Sequence, residues 1–439
     1  MRASSALAAG VHSLAKTTTV DVAVVGGGVV GLAAARELQR RDPGRSVAVL
    51  EKEPAIASSQ TSHNSNVVHS GLLYKHGTLR ADACVRGASH LYRFASEHAI
   101  PHRRCGKLLV ASEESEIPML HTLVERGQAN GVEGLETLSQ SQVERMEPAV
   151  KNRCGAVWSP NTGIIDYSAV SQALQKEILS HGGQIITGIE VLGANNLPEG
   201  GGVRISGVEP GQPGPTKEIH ASGLVTCAGL YGDRVARQCG ATDRSRLKPF
   251  RGRYWNVSDE AIRIRTGLSH SSAESVGQPF CNTNVYPVSA GGFVGIHLTP
   301  TVNGDIIMGP SGAPALDREG YRWKDVNLRQ LYEFVVDSGM WSILRKNPSK
   351  VWQELISDIS KRVFMRDVRK LVPDFRDDEA LPSFTGCSGH YIDSNEGKPY
   401  EEFEFEVGQR AVYARHLPSP AATASLALAE EIADRCHFL

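Results

Sequence analysis

A glycine motif and one acidic residue near the N-terminus have the types and the spacing to bind a dinucleotide. The glycines are Gly26, Gly28 and Gly31, and Glu51 follows twenty positions after the last of them. Such glycines let a backbone turn approach a pyrophosphate closely, and the acid accepts hydrogen bonds from ribose hydroxyls. The exposed N–H groups at the start of the following helix would bind the pyrophosphate.

The residues around this motif predict the elements that position it. An apolar run at 20–25 precedes the glycines, residues 32–38 have helix-forming composition, and a second apolar run at 46–50 leads to Glu51. The order is strand, tight turn, helix and strand. This order favours a dinucleotide site over a glycine-rich turn that binds nothing.

Distant segments of the chain carry further candidate contacts to the same ligand. A polar loop follows Glu51, a second strand and small-residue turn end at 229, and small residues open a C-terminal helix after a Pro-rich turn. We favour a ligand-wrapping role for the loop over an ordinary capping loop, because hydroxyl, amide and histidine side chains crowd positions 61–70. The candidate cofactor-binding residues outside the glycine motif are Lys52, Thr61, His63, Asn64, Ser65, Val191, Ala228, Gly229, Pro418, Ala421, Ala422 and Thr423.

The spread of these segments favours FAD as the dinucleotide. An NAD domain would continue through regular βαβ units, whereas FAD needs contacts from separate stretches of chain. From residue 247 the pattern changes to alternating, antiparallel-like strands. We predict an α/β and α+β chain, with a Rossmann-like FAD-binding domain and an inserted antiparallel β-sheet substrate domain. The predicted bounds are a leader at 1–18, an FAD-binding domain at 19–115, 155–245 and 385–439, and a substrate or cap domain at 246–384.

Composition excludes several classes of protein. The formal net charge of −1 provides no global field for nucleic acid, so no nucleic-acid partner is predicted. The eight cysteines contain no C-x-x-C pair, which argues against a zinc site or a disulfide framework and indicates a reducing compartment. No metal site is predicted. Residues 1–19 are rich in Ser and Ala and contain no acid, which favours a mitochondrial presequence over a disordered leader.

A helical region near residue 350 has a basic composition. Between Met340 and Pro373 it holds eight basic residues and three acids, and apolar residues one turn apart line one face. One interpretation is a two-helix cap with a solvated basic face. The other is peripheral attachment to an anionic membrane surface.

Several segments resemble the L-2-hydroxyglutarate dehydrogenase family, which are FAD enzymes of the D-amino-acid-oxidase-like superfamily. The segments lie in the same order as in the family, at 60–75, 105–107, 249–252, 285–287, 295–300 and 417–423. The resemblance implies oxidation of (S)-2-hydroxyglutarate, a 2-hydroxy dicarboxylic acid, to 2-oxoglutarate. It also implies electron transfer to an acceptor other than NAD, such as a quinone, and a mitochondrial location.

The resemblance also implies site residues. Oxidising an α-hydroxy acid requires a base for the hydroxyl proton and cations for the carboxylates. His69 and His297 lie in family-like segments and are the candidate bases, although either could be a packed core histidine. Arg251 is the candidate carboxylate clamp, with a salt bridge as the alternative. Tyr254 is a candidate donor to the substrate, or a packing residue.

One segment departs from the family pattern. The family usually carries Gly-Pro-x-Gly-x-Arg before the C-terminal strand, but residues 384–391 contain no arginine, and Arg253 stands where the family tends to have an acid. We hypothesise that Arg253 or His390 takes over part of the carboxylate binding. The competing functions are an amine or amino-acid oxidase of the same superfamily, or a flavin-binding scaffold that has lost catalysis.

Overall fold

The computed structural model describes residues 17–151, 154–209, 217–242, 246–267, 280–288, 295–393, 395 and 398–439. Residues 1–16 of the predicted leader lie outside the described residues, and Thr17 and Thr18 belong to the first strand. The chain divides into two compact units. The first unit comprises Met1–Ser62, Tyr167–Leu247 and Phe403–Leu439, and the second comprises His63–Asp166 and Lys248–Glu402.

Strands occur in both units. In chain order they are β1 (Thr17–Val25), β2 (Val47–Leu50), β3 (Val67–Val68), β4 (His102–Arg103), β5 (Lys107–Val110), β6 (Glu136–Leu138), β7 (Ala156–Ser159), β8 (Gly163–Ile165), β9 (Gln184–Ile186), β10 (Glu190–Asn196), β11 (Val203–Val208), β12 (Lys217–Thr226), β13 (Lys248–Val257), β14 (Asn284–Pro287), β15 (His297–Pro300), β16 (Ile306–Gly309), β17 (Ala313–Pro314), β18 (Ala380–His390), β19 (Ile392–Asp393), β20 (Lys398–Pro399), β21 (Glu404–Val407) and β22 (Ala411–His416).

Helices cover the sheets and connect the strands. In chain order they are α1 (Val29–Arg41), α2 (Leu79–Glu97), α3 (Ile117–Ala129), α4 (Gln140–Met146), α5 (Tyr167–Ser180), α6 (Gly232–Gln238), α7 (Asp259–Thr266), α8 (Leu328–Val335), α9 (Ser338–Lys346), α10 (Pro348–Ile359), α11 (Lys361–Leu371) and α12 (Ala421–Arg435).

The first unit is built on a largely parallel sheet. Strand β1 lies between β2 and β12, and β9 and β22 extend the sheet on the two sides, all in parallel pairing. Residues 22–25 of β1 are apolar and buried, and helix α1 packs on β1 and β2. Strands β10, β11 and β12 form an antiparallel meander.

The second unit contains a larger, mostly antiparallel sheet. Its order is β17-β13-β16-β15-β14-β5-β7-β6, and β18 pairs with the other side of β13. The pairing between β5 and β14 is parallel. Apolar side chains of α11, including Phe364 and Val368, pack against sheet residues such as Leu298 to form the core of the unit.

The compact units differ from the predicted domain boundaries. Residues 63–115 belong to the second unit, because β5 hydrogen-bonds to β14 and β7 in its sheet. Residues 385–402 join the same unit, because β18 pairs along nearly the whole of β13. The predicted number of two helices in this region is wrong, since residues 328–371 form four separate helices, α8 to α11, and their role as a cap stays a prediction.

Candidate active site

The glycine motif forms the turn that the sequence predicts between β1 and α1. Gly26 adopts φ +111°, a conformation that side-chain-bearing residues rarely adopt, and a Cβ there would overlap the Cys227 carbonyl oxygen. A Cβ at Gly31 would overlap the carbonyl oxygen of Gly26. Gly28 is the N-cap of α1, with no side-chain cap and no acid in the first turn. The positive end of α1 therefore fits an anionic pyrophosphate.

The neighbouring side chains are held around this turn. The Val29 N–H donates to the Thr61 hydroxyl oxygen at 3.1 Å, which fixes the polar loop against the helix start. The Glu51 carboxylate at the end of β2 accepts from the N–H groups of Gly27 at 2.7 Å and Glu53 at 2.8 Å. This geometry fits the predicted role of Glu51, because a fixed carboxylate at this position can also accept from a ribose hydroxyl.

The remaining predicted contacts of the first unit lie on three other segments. A Cβ at Gly229 would meet the Gln60 side chain at 2.6 Å, so the 228–229 turn lies against the polar loop. Lys52 pairs with Glu53, and its ammonium group lies over the Tyr231 ring. Val191 packs in the apolar core of the unit, and its role in cofactor binding stays a prediction.

The C-terminal helix offers a second open N-terminus. Helix α12 begins at Ala421, after Pro418 and the N-cap Pro420, with no side-chain cap and no acid in its first turn, which contains Ala422 and Thr423. The Thr423 and Tyr167 hydroxyls lie 3.2 Å apart. In both α1 and α12 the N-cap residue provides no side-chain cap and the first turn holds no acid, which suits a long anionic cofactor such as FAD.

The second unit gathers both predicted histidines in one buried cluster. The His297 ring stacks on Tyr286 with centroids 3.9 Å apart, and its Nδ1 lies 3.0 Å from the Thr299 hydroxyl. The His69 Nδ1 lies 3.4 Å from the ammonium nitrogen of Lys107. Lys107 also lies 4.0 Å from the centroid of the Tyr286 ring. We call these five residues the histidine cluster.

Strand pairing explains why these residues meet. Strand β14 carries Tyr286 and lies between β5, which begins with Lys107, and β15, which begins with His297. His69 follows directly after β3, the short strand that pairs with β8. Strands β14 and β15 are consecutive, whereas β5 and the segment after β3 are far from them in sequence. Hydrogen bonds of the sheet hold the backbone of β5, β14 and β15 in place.

Burial controls the charges of the cluster. Desolvation, followed by the positive charge of Lys107, holds the pKa of both His69 and His297 well below the usual histidine value. Desolvation also lowers the pKa of Lys107 to about 8. At neutral pH the cluster therefore contains two neutral imidazoles, each able to accept a proton, beside one ammonium group.

The hydroxyl groups of Ser65 and Tyr254 adjoin the histidine cluster. The Ser65 hydroxyl hydrogen-bonds to Tyr254 and to Tyr286, and desolvation raises the pKa of both phenols, which keeps them protonated. Tyr254 stacks on Phe384 with centroids 4.5 Å apart. The predicted donor Tyr254 is thus brought near the histidine cluster through Ser65. The predicted cofactor contacts of Ser65, and of His63 and Asn64 in the same unit, stay predictions.

The candidate cations on β13 and β18 lie in different surroundings. Arg251 is buried, and its Nε lies 3.2 Å from the Asp358 carboxylate, which also accepts from Ser311 at 2.6 Å. This ion pair corresponds to the salt-bridge alternative, and the role of Arg251 as a carboxylate clamp stays a prediction. Arg253 pairs across the strands with Thr385, and the His390 Nε2 lies 3.1 Å from the Ser388 hydroxyl.

Lys107 is the functional candidate that the sequence reasoning did not select. The available signal was a lone lysine at the start of an apolar strand, inside a family-like segment. The structure adds that its side chain is buried beside both histidines. Within the described ranges, no group of His, Cys, Asp and Glu side chains could hold a metal ion. None of the described helices is both long enough and apolar enough to cross a membrane.

Comparisons with known proteins place the chain in a family. The profile of the DAO family, FAD dependent oxidoreductase, matches residues 21–435. The mitochondrial L-2-hydroxyglutarate dehydrogenase of Homo sapiens is 36% identical over 430 residues, covering 96% of this chain and 89% of the relative. That of Nematostella vectensis is 35% identical, covering 94% and 90%. These relatives agree with the predicted mitochondrial localisation.

Solved structures confirm the predicted fold. L-alpha-glycerophosphate oxidase from Mycoplasma pneumoniae, with FAD bound, has a TM-score of 0.73 at 22% identity and covers 94% of each chain. Glycine oxidase from Geobacillus kaustophilus has a TM-score of 0.68 at 18% identity and covers 95% of each chain. The fold prediction and the assignment of FAD as cofactor are confirmed. The chain belongs to the FAD dependent oxidoreductase family, and its curated relatives there are L-2-hydroxyglutarate dehydrogenases.

Proposed function

We propose that the chain is an FAD-dependent dehydrogenase that oxidises (S)-2-hydroxyglutarate to 2-oxoglutarate. The observation that carries the proposal is the 36% identity to a curated L-2-hydroxyglutarate dehydrogenase across 96% of the chain. The histidine cluster supports it, because a neutral imidazole beside an ammonium group meets the two needs of the reaction. These needs are a base for the hydroxyl proton and a cation for a carboxylate.

In this proposal His297 is the base. Its Nδ1 lies 3.0 Å from the Thr299 hydroxyl oxygen, and we assign its proton to Nδ1, so that Nε2 accepts the hydroxyl proton. Bound FAD supplies the two-electron acceptor for the hydride from the α-carbon. The product carbonyl forms as the hydroxyl proton reaches His297. His69 adds no charge to the site, because desolvation and the positive charge of Lys107 keep its imidazole neutral.

Flavin reduction tests the proposed reaction. We expect anaerobic addition of (S)-2-hydroxyglutarate to bleach the flavin absorbance of the purified holoenzyme, because the substrate then delivers its hydride with no oxidant present. The (R) enantiomer and amino acids are the controls. Bleaching by an amino acid alone would replace the proposal with an amino-acid oxidase, and a flavin that no substrate bleaches would indicate a scaffold.

We also propose that helices α8 to α10 bind an anionic membrane surface, where a quinone accepts the electrons. Exposed apolar side chains concentrate on these helices, and Leu328 is 80% and Trp352 61% exposed. The exposed apolar residues are Leu328, Leu331, Tyr332, Val335, Trp341, Leu344, Trp352, Ile356 and Ile359. Basic residues such as Arg345 and Lys346 lie between them, a pattern typical of interfacial helices.

Vesicle binding tests the membrane proposal. We expect the double variant Trp352→Glu/Ile359→Glu to bind phosphatidylcholine vesicles with one-fifth phosphatidylserine at least about tenfold more weakly, because both side chains lose apolar burial. Co-sedimentation gives the partition coefficient. The matched control is Leu192→Glu, which changes an exposed leucine of the first unit. Equal binding by the wild type, the double variant and Leu192→Glu would exclude these helices as the membrane site.

A further inference from the structure

Lys107 is a buried cation at the start of a central strand. Its side chain is only 2% exposed, and β5 is hydrogen-bonded on both sides, to β14 and to β7. The backbone therefore cannot move the ammonium group to solvent without breaking the sheet. A lysine in such a position is rarely retained without a partner for its charge.

The surroundings of Lys107 contain no anion among the residues that the structure describes. Its ammonium group contacts the His69 ring nitrogen and the face of Tyr286, which are both neutral groups. The groups whose charge would raise the pKa of Lys107 are the thiols of Cys84 and Cys105. Burial raises the pKa of both thiols, that of Cys84 to about 12, so both stay protonated.

Other buried cations of the chain are compensated differently. Lys248 pairs with Asp337 at 2.8 Å, Arg251 with Asp358 at 3.2 Å, and Arg415 with Glu406 at 2.9 Å. At these three positions the fold therefore pairs a buried cation with a carboxylate. Lys107 receives a cation–π contact and a histidine nitrogen instead, which compensate a charge only in part.

We propose that Lys107 binds a carboxylate of the substrate and so positions the α-hydroxy acid at the histidine cluster. The inference rests on the proposed function, and it assigns to Lys107 the carboxylate binding that the sequence analysis assigned to Arg251. The ligand class is a 2-hydroxy or 2-oxo carboxylate. Its negative charge completes the ion pair that the protein leaves open, and its hydroxyl group then lies beside neutral imidazoles.

Ligand binding by three variants tests this role. The probe is 2-oxoglutarate, whose dissociation constant is read from the change in flavin absorbance of the holoenzyme. We expect Lys107→Met to raise the dissociation constant at least about 30-fold, because one partner of a buried charged pair is removed. Lys107→Arg retains the positive charge and should raise the dissociation constant less than about tenfold. The control Lys248→Met, which removes a buried lysine already paired with Asp337, should leave it unchanged.

The pH dependence of 2-oxoglutarate binding gives a second measurement, which does not require the uncharged variant Lys107→Met. The dissociation constant of the wild type should rise as pH increases above about 8, where free Lys107 loses its proton. In Lys107→Arg the rise should be absent, because arginine stays charged. This comparison of the wild type with Lys107→Arg tests the role of Lys107 even if Lys107→Met fails to bind flavin.

The possible results separate the two proposals. If Lys107→Met binds 2-oxoglutarate as the wild type does, or if wild type and Lys107→Arg share one pH profile, Lys107 is not the carboxylate-binding residue. If (S)-2-hydroxyglutarate fails to bleach the wild-type flavin while carboxylate binding still depends on Lys107, the proposed reaction is wrong and the role of Lys107 survives.

Discussion

Replacing His297 with glutamine is expected to slow flavin reduction by (S)-2-hydroxyglutarate about 10²- to 10⁴-fold, the usual contribution of a positioned general base. Glutamine approximates the volume of the imidazole but has no basic nitrogen, so the proton acceptor is lost. Anaerobic stopped-flow absorbance measures the limiting rate and its dependence on substrate concentration. We expect the limiting rate to fall, whereas the substrate concentration that gives half of the limiting rate should change little.

Two histidine variants control this experiment. His102→Gln removes a partly buried histidine of the same unit, whose Nδ1 lies 2.8 Å from the Ile100 carbonyl oxygen, and should leave the rate unchanged. His69→Gln tests the other candidate base. If His69→Gln abolishes reduction and His297→Gln does not, the two histidines exchange roles in the mechanism.

The pH profile should report the same assignment. A base must be unprotonated, and the lowered pKa of His297 keeps it unprotonated well below pH 6.5. The acidic limb of the reduction rate should therefore lie below the ordinary histidine range. Reduction in the wild type should be nearly constant from about pH 6.5 to 7.5. A limb centred near pH 6.5 would show that the acting base is a solvent-exposed group.

Replacing Gly31 with alanine is expected to remove most of the bound FAD. The new Cβ would overlap the Gly26 carbonyl oxygen, which is backbone and cannot rotate away. Forcing one extra carbon into a packed site costs about 1–3 kcal/mol. If the turn between β1 and α1 absorbs this strain, FAD binding weakens about 5- to 150-fold. The flavin-to-protein absorbance ratio after gel filtration measures the loss.

Gly44→Ala is the matched control for this variant. Gly44 lies in the same unit, in the turn after α1, where a Cβ would meet only the Asp42 side chain at an ordinary 3.5 Å. Its flavin content should equal that of the wild type. Full FAD occupancy in Gly31→Ala would mean that the glycine turn is not the pyrophosphate site.

The cofactor-binding residues of the first unit were predictable because their signals are local. A strand, a turn and a helix that follow one another directly identify Gly26, Gly28 and Gly31, and the Glu51 spacing measures the length of one strand–helix–strand unit. The structure confirms the turn and the position of Glu51 at the end of β2. The domain boundaries were less predictable, because β5 and β18 reveal their sheet only through pairing with strands far away in sequence.

Sequence alone determined the cofactor class, the fold class and two of the histidine-cluster residues, His69 and His297. Each depends on residue types at short spacings or on family-like segments. Only the tertiary structure decided which buried cation has no carboxylate partner among the described residues. The sequence singled out Arg251 and not Lys107, but folding brings Asp358 to Arg251 and neutral rings to Lys107. The reason is physical, because a charge is compensated by what lies beside it in space, and the strands and helices that supply those neighbours are distant in the chain.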